Sequence, residues 1–176
     1  MRDVASAQDR LMATPLAGER LLLEPLRVEH AEEMAGLLND PQLHSFIGGR
    51  PATVAELRSR YAKQIVGRSA DGSQRWLNWV ARRQEDAQLV GFVQATVSYR
   101  ERQPWAETAW VIGTAYQGRG YAREAARLMV DWLRGSGVGP IVAHIHPDHV
   151  ASNSVARRIG LTPTGELVDG EVRWLG

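Results

Sequence analysis

Gln117-Gly118-Arg119-Gly120-Tyr121-Ala122 separates a strand-like segment from the most regular amphipathic stretch of the chain. In that stretch Ala122, Ala125, Ala126, Met129, Val130 and Leu133 fall on one helical face before Gly135-Ser136-Gly137 ends the period. A glycine-rich turn from strand into helix gathers several backbone N–H groups at the positive end of the helix, a geometry suited to a pyrophosphate. Gly118 and Gly120 remove side chains that would block a phosphate, Arg119 adds a cation at the rim, Tyr121 opens the helix and Ala122 lets it pack closely on a sheet. Taken alone, the same six residues also describe a tight connection that holds nothing. Neither common nucleotide fingerprint is present. No Gly-Lys-Ser/Thr follows, and Arg123 stands where Gly-x-Gly-x-x-Gly needs its third glycine, which disfavours nucleotide hydrolysis and hydride transfer.

Working outward, Arg75 to Arg82, Leu89 to Tyr99 and Trp105 to Gly113 have the composition of strands and form an antiparallel meander, the first two joined by the polar turn Gln84 to Gln88. Before it, Glu19 to Leu26 predicts a strand. Val28 to Asn39 predicts a helix with Ala31, Met34, Ala35 and Leu38 inward, and Thr53 caps a second helix running to about Val66. After the glycine loop and its helix, Pro140 to His146 predicts a buried strand and His149 to Ile159 a short helix ended by Gly160. Thr162 to Trp174 predicts a hairpin turning at Asp169-Gly170. The order β-α-α-β-β-β-α-β-α-β-β makes an α/β protein of the mixed α+β kind, a sheet with helices packed on it. Residues 1–14 show no periodicity and are expected to form a flexible N-terminal arm ahead of a single domain, 15–176.

Length and composition bound the chemistry. A chain of 176 residues forms one domain with a sizeable core and has little room for two. Lys plus Arg at 21 against Asp plus Glu at 20 argues against a non-specific nucleic-acid or membrane-surface binder, so any anion site must be local. The absence of cysteine excludes disulfides, thiolate metal sites and a cysteine nucleophile, leaving oxygen and nitrogen groups to act. No apolar run approaches the ~20 residues that span a bilayer, and Met1 to Arg10 lacks the apolar core of a signal peptide; a cytoplasmic protein is expected.

Three separated motifs carry a family resemblance. The loop, through Gln117, Gly120 and Ala122, resembles the Gln/Arg-x-x-Gly-x-Gly/Ala motif of the GNAT superfamily of acetyl-CoA-dependent N-acetyltransferases. Glu19-Arg20-Leu21-Leu22-Leu23-Glu24-Pro25-Leu26 resembles the first strand of the branch that includes ribosomal-protein N-terminal acetyltransferases. Ser152-Asn153-Ser154-Val155-Ala156-Arg157-Arg158-Ile159-Gly160-Leu161 is similar to the same branch. The likeness spans about Thr14 to Trp174 in element order. It implies a GNAT-like, mostly antiparallel seven-stranded sheet flanked by about four helices and splayed between Trp105 to Gly113 and Pro140 to His146. Acetyl-CoA would enter the split as an added strand.

The resemblance implies that an amine acceptor attacks acetyl-CoA directly. Such a transfer needs a neutral amine, donors for the tetrahedral oxyanion and a proton source for the thiolate. Backbone groups around Val111 and Ile112 are implied for the oxyanion and pantetheine. Glu107, on the same strand, is implied as acceptor of the amine proton, a role that favours a partly desolvated carboxylate; without the family it reads as a solvent-facing strand residue. Ser152 matches the branch's thiolate donor, against the alternative of a first-turn serine satisfying a backbone N–H. Relatives with a helix tyrosine for this task carry it where this chain has Ala156. His149 replaces a cofactor-binding asparagine, with Asn153 beside it to share the work.

His144, His146 and His149 raise a metal site, since His-x-His on a strand shares one face, but only Asp148 stands near and the resemblance calls for no metal. Among six tryptophans Trp105, near Glu107, is the candidate for the acceptor pocket. Arg82-Arg83 and Arg157-Arg158 read as solvated faces that could meet an adenosine phosphate. The expected partners are acetyl-CoA and an amine acceptor, with no nucleic acid and no membrane; the exposed edge of the final hairpin leaves a homodimer open. The competing expectations are a GNAT-fold CoA-binding sensor that has lost catalysis, and a partner-binding α/β domain whose loop is only a turn.

Overall fold

A computed structural model of the chain describes residues 11–176. Among these, eight strands form one sheet: β1 (Leu16–Ala17), β2 (Leu21–Pro25), β3 (Gln74–Arg83), β4 (Leu89–Arg100), β5 (Gln103–Ile112), β6 (Ile141–Ile145), β7 (Thr162–Val168) and β8 (Glu171–Leu175). Their order is β1-β2-β3-β4-β5-β6-β8-β7, antiparallel throughout except where β6 lies parallel to β5. Five α-helices accompany them: α1 (Ala31–Leu37), α2 (His44–Ile47), α3 (Val54–Gln64), α4 (Tyr121–Gly135) and α5 (Val150–Arg158). Seven strands and about four helices were expected. The additions are β1 and α2, whose two and four residues are too short to show a period.

The sheet is covered on both faces. On one, α4 and α5 bury Ala125, Ala126, Met129, Val130, Leu133 and Ala156 against Leu21, Trp79, Val93 and Ala143. Each large apolar side chain on that face contributes about 1.5–3 kcal/mol of transfer free energy. On the other, α1 and α3 place Ala31, Met34, Leu57 and Tyr61 on Val80, Leu89 and Val111. Helix α3 starts on a reciprocal cap. Thr53 accepts from the Glu56 N–H at 3.2 Å, and Glu56 accepts from the Thr53 N–H at 2.8 Å.

Of the expected arm, residues 1–10 lie outside the described residues. Leu11 and Ala13 pack on the core, and the carbonyl of Thr14 accepts the indole N–H of Trp79 at 2.7 Å, so residues 11–14 belong to the packing of the domain. Among the described residues no helix is long and apolar enough to cross a membrane.

The feature that positions the site is where the sheet comes apart. Strands β5 and β6 pair only at Ala106 with Ile141 and Glu107 with Val142. The buried Thr108 hydroxyl then donates to the Val142 carbonyl at 2.9 Å and marks the end of the contact. Beyond it the two strands diverge, and β5 from Ala109 to Ile112 has a free edge.

Candidate functional site

Two cavities meet at this split. One, of about 900 Å³, lies on the α1–α3 side and is lined by Glu107, His144, His146, Gln94, Thr96 and Arg60 among others. The second, of about 670 Å³, runs past the start of α4 and is lined by Gln117, Gly118, Gly120, Tyr121, Ala122 and Arg158 among others. Phe46, Ile47, Trp110, Val111, His149 and Ser152 line both and form the passage between them. A substrate lying along the loop therefore reaches the first cavity past these six shared residues.

The loop is built as the sequence implies. Gly118 and Gly120 have φ of +75° and +81°, in the left-handed region that glycine adopts without strain. A Cβ at Gly118 would meet nothing within 4 Å, while one at Gly120 would come 3.3 Å from the guanidinium of Arg20. Gly120 caps α4 with no side chain turned onto the first-turn amides, so that end presents bare N–H donors. Gln117 turns back to donate to the Ile112 carbonyl at 2.9 Å, which locks the loop onto β5. Tyr121 is buried, its ring 4.7 Å from the Arg20 guanidinium.

Arg20 and Glu124, not singled out from sequence, clamp this loop. Glu124 Oε1 accepts from the backbone N–H groups of Arg20 at 2.7 Å and Leu21 at 3.0 Å, and Oε2 accepts from the Arg20 side chain at 2.9 Å. Arg20 also donates to the Arg119 carbonyl at 2.8 Å. Arg20 and Leu21, at the entry to β2, thus hold the loop from a hundred residues away, a pairing no local spacing reveals.

Several expected contacts fall elsewhere. Arg119 is exposed and absent from the cavity wall, where Arg123 and Arg158 stand instead. In β5, Ala106 N–H donates to Pro140 and Gly113 N–H to Val90, so in this uninterrupted ladder the even residues face β6 and the odd ones β4. The backbone groups open to the split are those of Trp110 and the N–H of Ile112, whose carbonyl is taken by Gln117. Those of Val111 are spent on β4, and Val111 reaches the cavities only through its side chain. Asn153 is buried and donates to the Pro147 carbonyl at 2.9 Å, so it shapes the loop before α5 and lines neither cavity. Trp110, not Trp105, is the tryptophan at the junction. Arg82 is held by Glu24 and Glu33 and Arg83 by Asp86, while Arg157 lies over the Trp174 ring.

His149 and Ser152 form a unit at the junction. The His149 ring stacks on Phe46 at 4.2 Å between centroids, and its Nδ1 accepts the Ser152 N–H at 3.4 Å. Burial first, then the nearby His146, holds the His149 pKa below its ordinary value. A neutral ring accepting at Nδ1 carries its proton on Nε2, which donates to the Ser152 hydroxyl oxygen at 3.2 Å. The hydroxyl proton of Ser152 is then free to point into the cavity.

Glu107 projects from the last paired rung of β5. Its side chain is 52% exposed, so the drier setting expected for it is absent; its partner is the His144 ring, Nδ1 to Oε1 at 3.0 Å. Among the described residues no group of three or more His, Asp or Glu is arranged to hold a metal.

Comparison with known proteins gives the same frame. A family model described as an acetyltransferase (GNAT) domain matches residues 20–162. The structure of a GNAT-family acetyltransferase from Bacillus anthracis superposes with a TM-score of 0.75 at 20% identity, over 93% of this chain and 98% of that one. RimL, a ribosomal L7/L12 alpha-N-protein acetyltransferase in complex with coenzyme A, gives 0.75 at 18% identity over 92% and 96% of the two chains. Spermidine N-acetyltransferase from Vibrio cholerae, in complex with CoA and spermine, gives 0.72 at 20% identity over 90% and 95%.

Proposed function

Because the chain belongs to the GNAT acetyltransferase family, we propose that it transfers the acetyl group of acetyl-CoA directly to the amine of a small molecule or a protein N-terminus. The observation that carries this is the junction: a phosphate-sized loop with bare helix amides on one side, a polar cavity on the other, and a passage between them at the sheet split.

The fit to the cosubstrate rests on that geometry. The amides at the start of α4 and the open space over Gly118 suit a pyrophosphate, with Arg123 and Arg158 as cations on the same wall. The N–H groups of Trp110 and Ile112 suit a pantetheine chain lying along the free edge of β5, and one of them suits the oxyanion. Ser152, with its oxygen held by His149, donates its proton toward the departing sulfur. The bonded pair of Glu107 and His144 stands across the junction on the wall of the first cavity, where the amine proton leaves.

The acceptor cavity carries both signs of charge on its wall, Glu171 among them. Glu56 is held by Arg50 at 2.5 Å and Glu107 by His144, and Arg60 adds a positive charge to the wall. An acceptor with one amine and a polar remainder, such as a peptide N-terminus or an amino acid, is compatible with that mixed wall.

Thermal melting tests the cosubstrate. A ligand present at a hundred times its dissociation constant adds about 2.7 kcal/mol to stability. Acetyl-CoA should raise the melting temperature of the native chain and leave that of Gly118→Asp unmoved, since Asp tolerates the left-handed conformation and sets a carboxylate where the phosphate binds. No shift in the native chain would contradict the assignment.

A further inference from the structure

We propose that His144 is the base of the reaction: its Nε2 takes the proton that the acceptor amine gives up, and Glu107 is the positioning residue that holds the ring. The inference rests on the acetyl-transfer function above and replaces the carboxylate by the imidazole as the group meeting the amine.

Four histidines line the acceptor cavity, and their hydrogen bonds separate them. His44 has a carbonyl within reach of each nitrogen, Gly48 at 3.1 Å and Leu38 at 3.0 Å. His146 accepts the Asp148 N–H at Nδ1 and His149 the Ser152 N–H at Nδ1, so in each the neutral ring carries its proton on Nε2 and has no lone pair left to aim outward. His144 is the reverse. Its Nδ1 faces a carboxylate, which at neutral pH only accepts, so Nδ1 holds the proton and Nε2 keeps its lone pair. Among the described residues no protein group bonds that nitrogen. The ring sits two residues past Val142, which pairs with Glu107 at the last rung before the split, so it shares their face and overlooks the junction.

Imidazoles as a class titrate about two units closer to neutrality than carboxylates, which suits them to this task. The charged and titratable groups around the ring are Glu107 on β5, Arg173 opposite on β8 with its own partner Glu166 on β7, Glu171 and His146 on the cavity wall, and Arg60 from α3 across it. The amine nitrogen bonds to the thioester carbon, its proton passes to His144 Nε2, the carbon–sulfur bond breaks, and the thiolate takes the Ser152 proton. Ser152 regains a proton from water and the imidazolium returns its own, leaving amide and CoA thiol.

The test is acetyl transfer from acetyl-CoA to a panel of Ala- and Ser-initiated peptides, free amino acids, an aminoglycoside and spermine across a range of pH, with His144→Gln and Glu107→Gln. The proposal expects His144→Gln to lower kcat about 100-fold or more and to leave acetyl-CoA binding unchanged. Glu107→Gln lowers kcat less and, because an amide donates as well as accepts, lets the His144 ring carry its proton on either nitrogen, which nitrogen NMR reads. Nitrogen NMR of the native protein should show His144 protonated at Nδ1 alone in the alkaline range. Native kcat in His144→Gln, or a ring protonated at Nε2 in the native protein, would overturn the proposal. If the native chain binds acetyl-CoA and acetylates no amine, the transferase function fails with it, whatever the tautomer.

Discussion

Ser152 lies at the one junction between the two cavities, its oxygen held by an imidazole that burial keeps neutral. Replacing it with alanine should cut kcat about 10–100-fold while the dissociation constant of acetyl-CoA, read by calorimetry, stays within twofold. A larger loss of binding than of turnover would make it a binding residue. His30 carries a prediction about stability. It is 3% exposed, accepts the Arg27 N–H at Nδ1, and has its pKa lowered from 6.5 by burial first and then by Arg27. The folded state therefore binds fewer protons than the unfolded one between that lowered value and 6.5, and stability rises with pH across the window. Melting temperature should fall as pH drops below the ordinary imidazole range, and less steeply in His30→Gln. At this scale the resemblance pointed to Ser152, His149 and Glu107, which line the cavities, but not to the bonds that His149 makes to Ser152 and Glu107 to His144. The Glu107–His144 bond joins adjacent strands 37 residues apart, and the alternation that turns Val111 away from the split becomes fixed only once the β4–β5 register is known.

The loop-and-helix element depends on a strand far from it in sequence. Glu124 is mostly buried and is the acceptor for the backbone N–H groups of Arg20 and Leu21 at the entry to β2, so Glu124→Ala leaves both without that partner. Chemical denaturation should show a loss of about 1–3 kcal/mol, with acetyl-CoA affinity reduced as well because Arg20 no longer braces the loop at Arg119. Glu124→Gln, which keeps the shape and an acceptor, should lose less. Long amphipathic segments and glycine punctuation were legible: α4 was visible from Ala122 to Leu133, and the final hairpin turns at Asp169-Gly170, where φ is +51° and +82°. Short elements were not. Strand β1 holds its place by pairing Leu16 with Leu23 and Ala17 with Leu22, a tertiary cause with no period to announce it.

For the whole molecule, the break in the sheet is the organising fact. Continuous pairing from β2 through β5 gives a rigid wall, and the two-rung contact of β5 with β6 leaves an opening that the loop, α5 and α2 surround. The order of elements made the mixed sheet legible, and the family resemblance supplied the split, which neither hydrophobic pattern nor spacing could have shown because both strands read as ordinary buried ones. The most direct measurement of the central claim is the release of CoA thiol from acetyl-CoA, followed with a thiol reagent; the chain has no cysteine to give a background. Release that depends on an added amine, and that yields the acetylated amine in equal amount by mass spectrometry, is the predicted result. Binding of acetyl-CoA with no amine-dependent release across peptides, amino acids and small amines would contradict it.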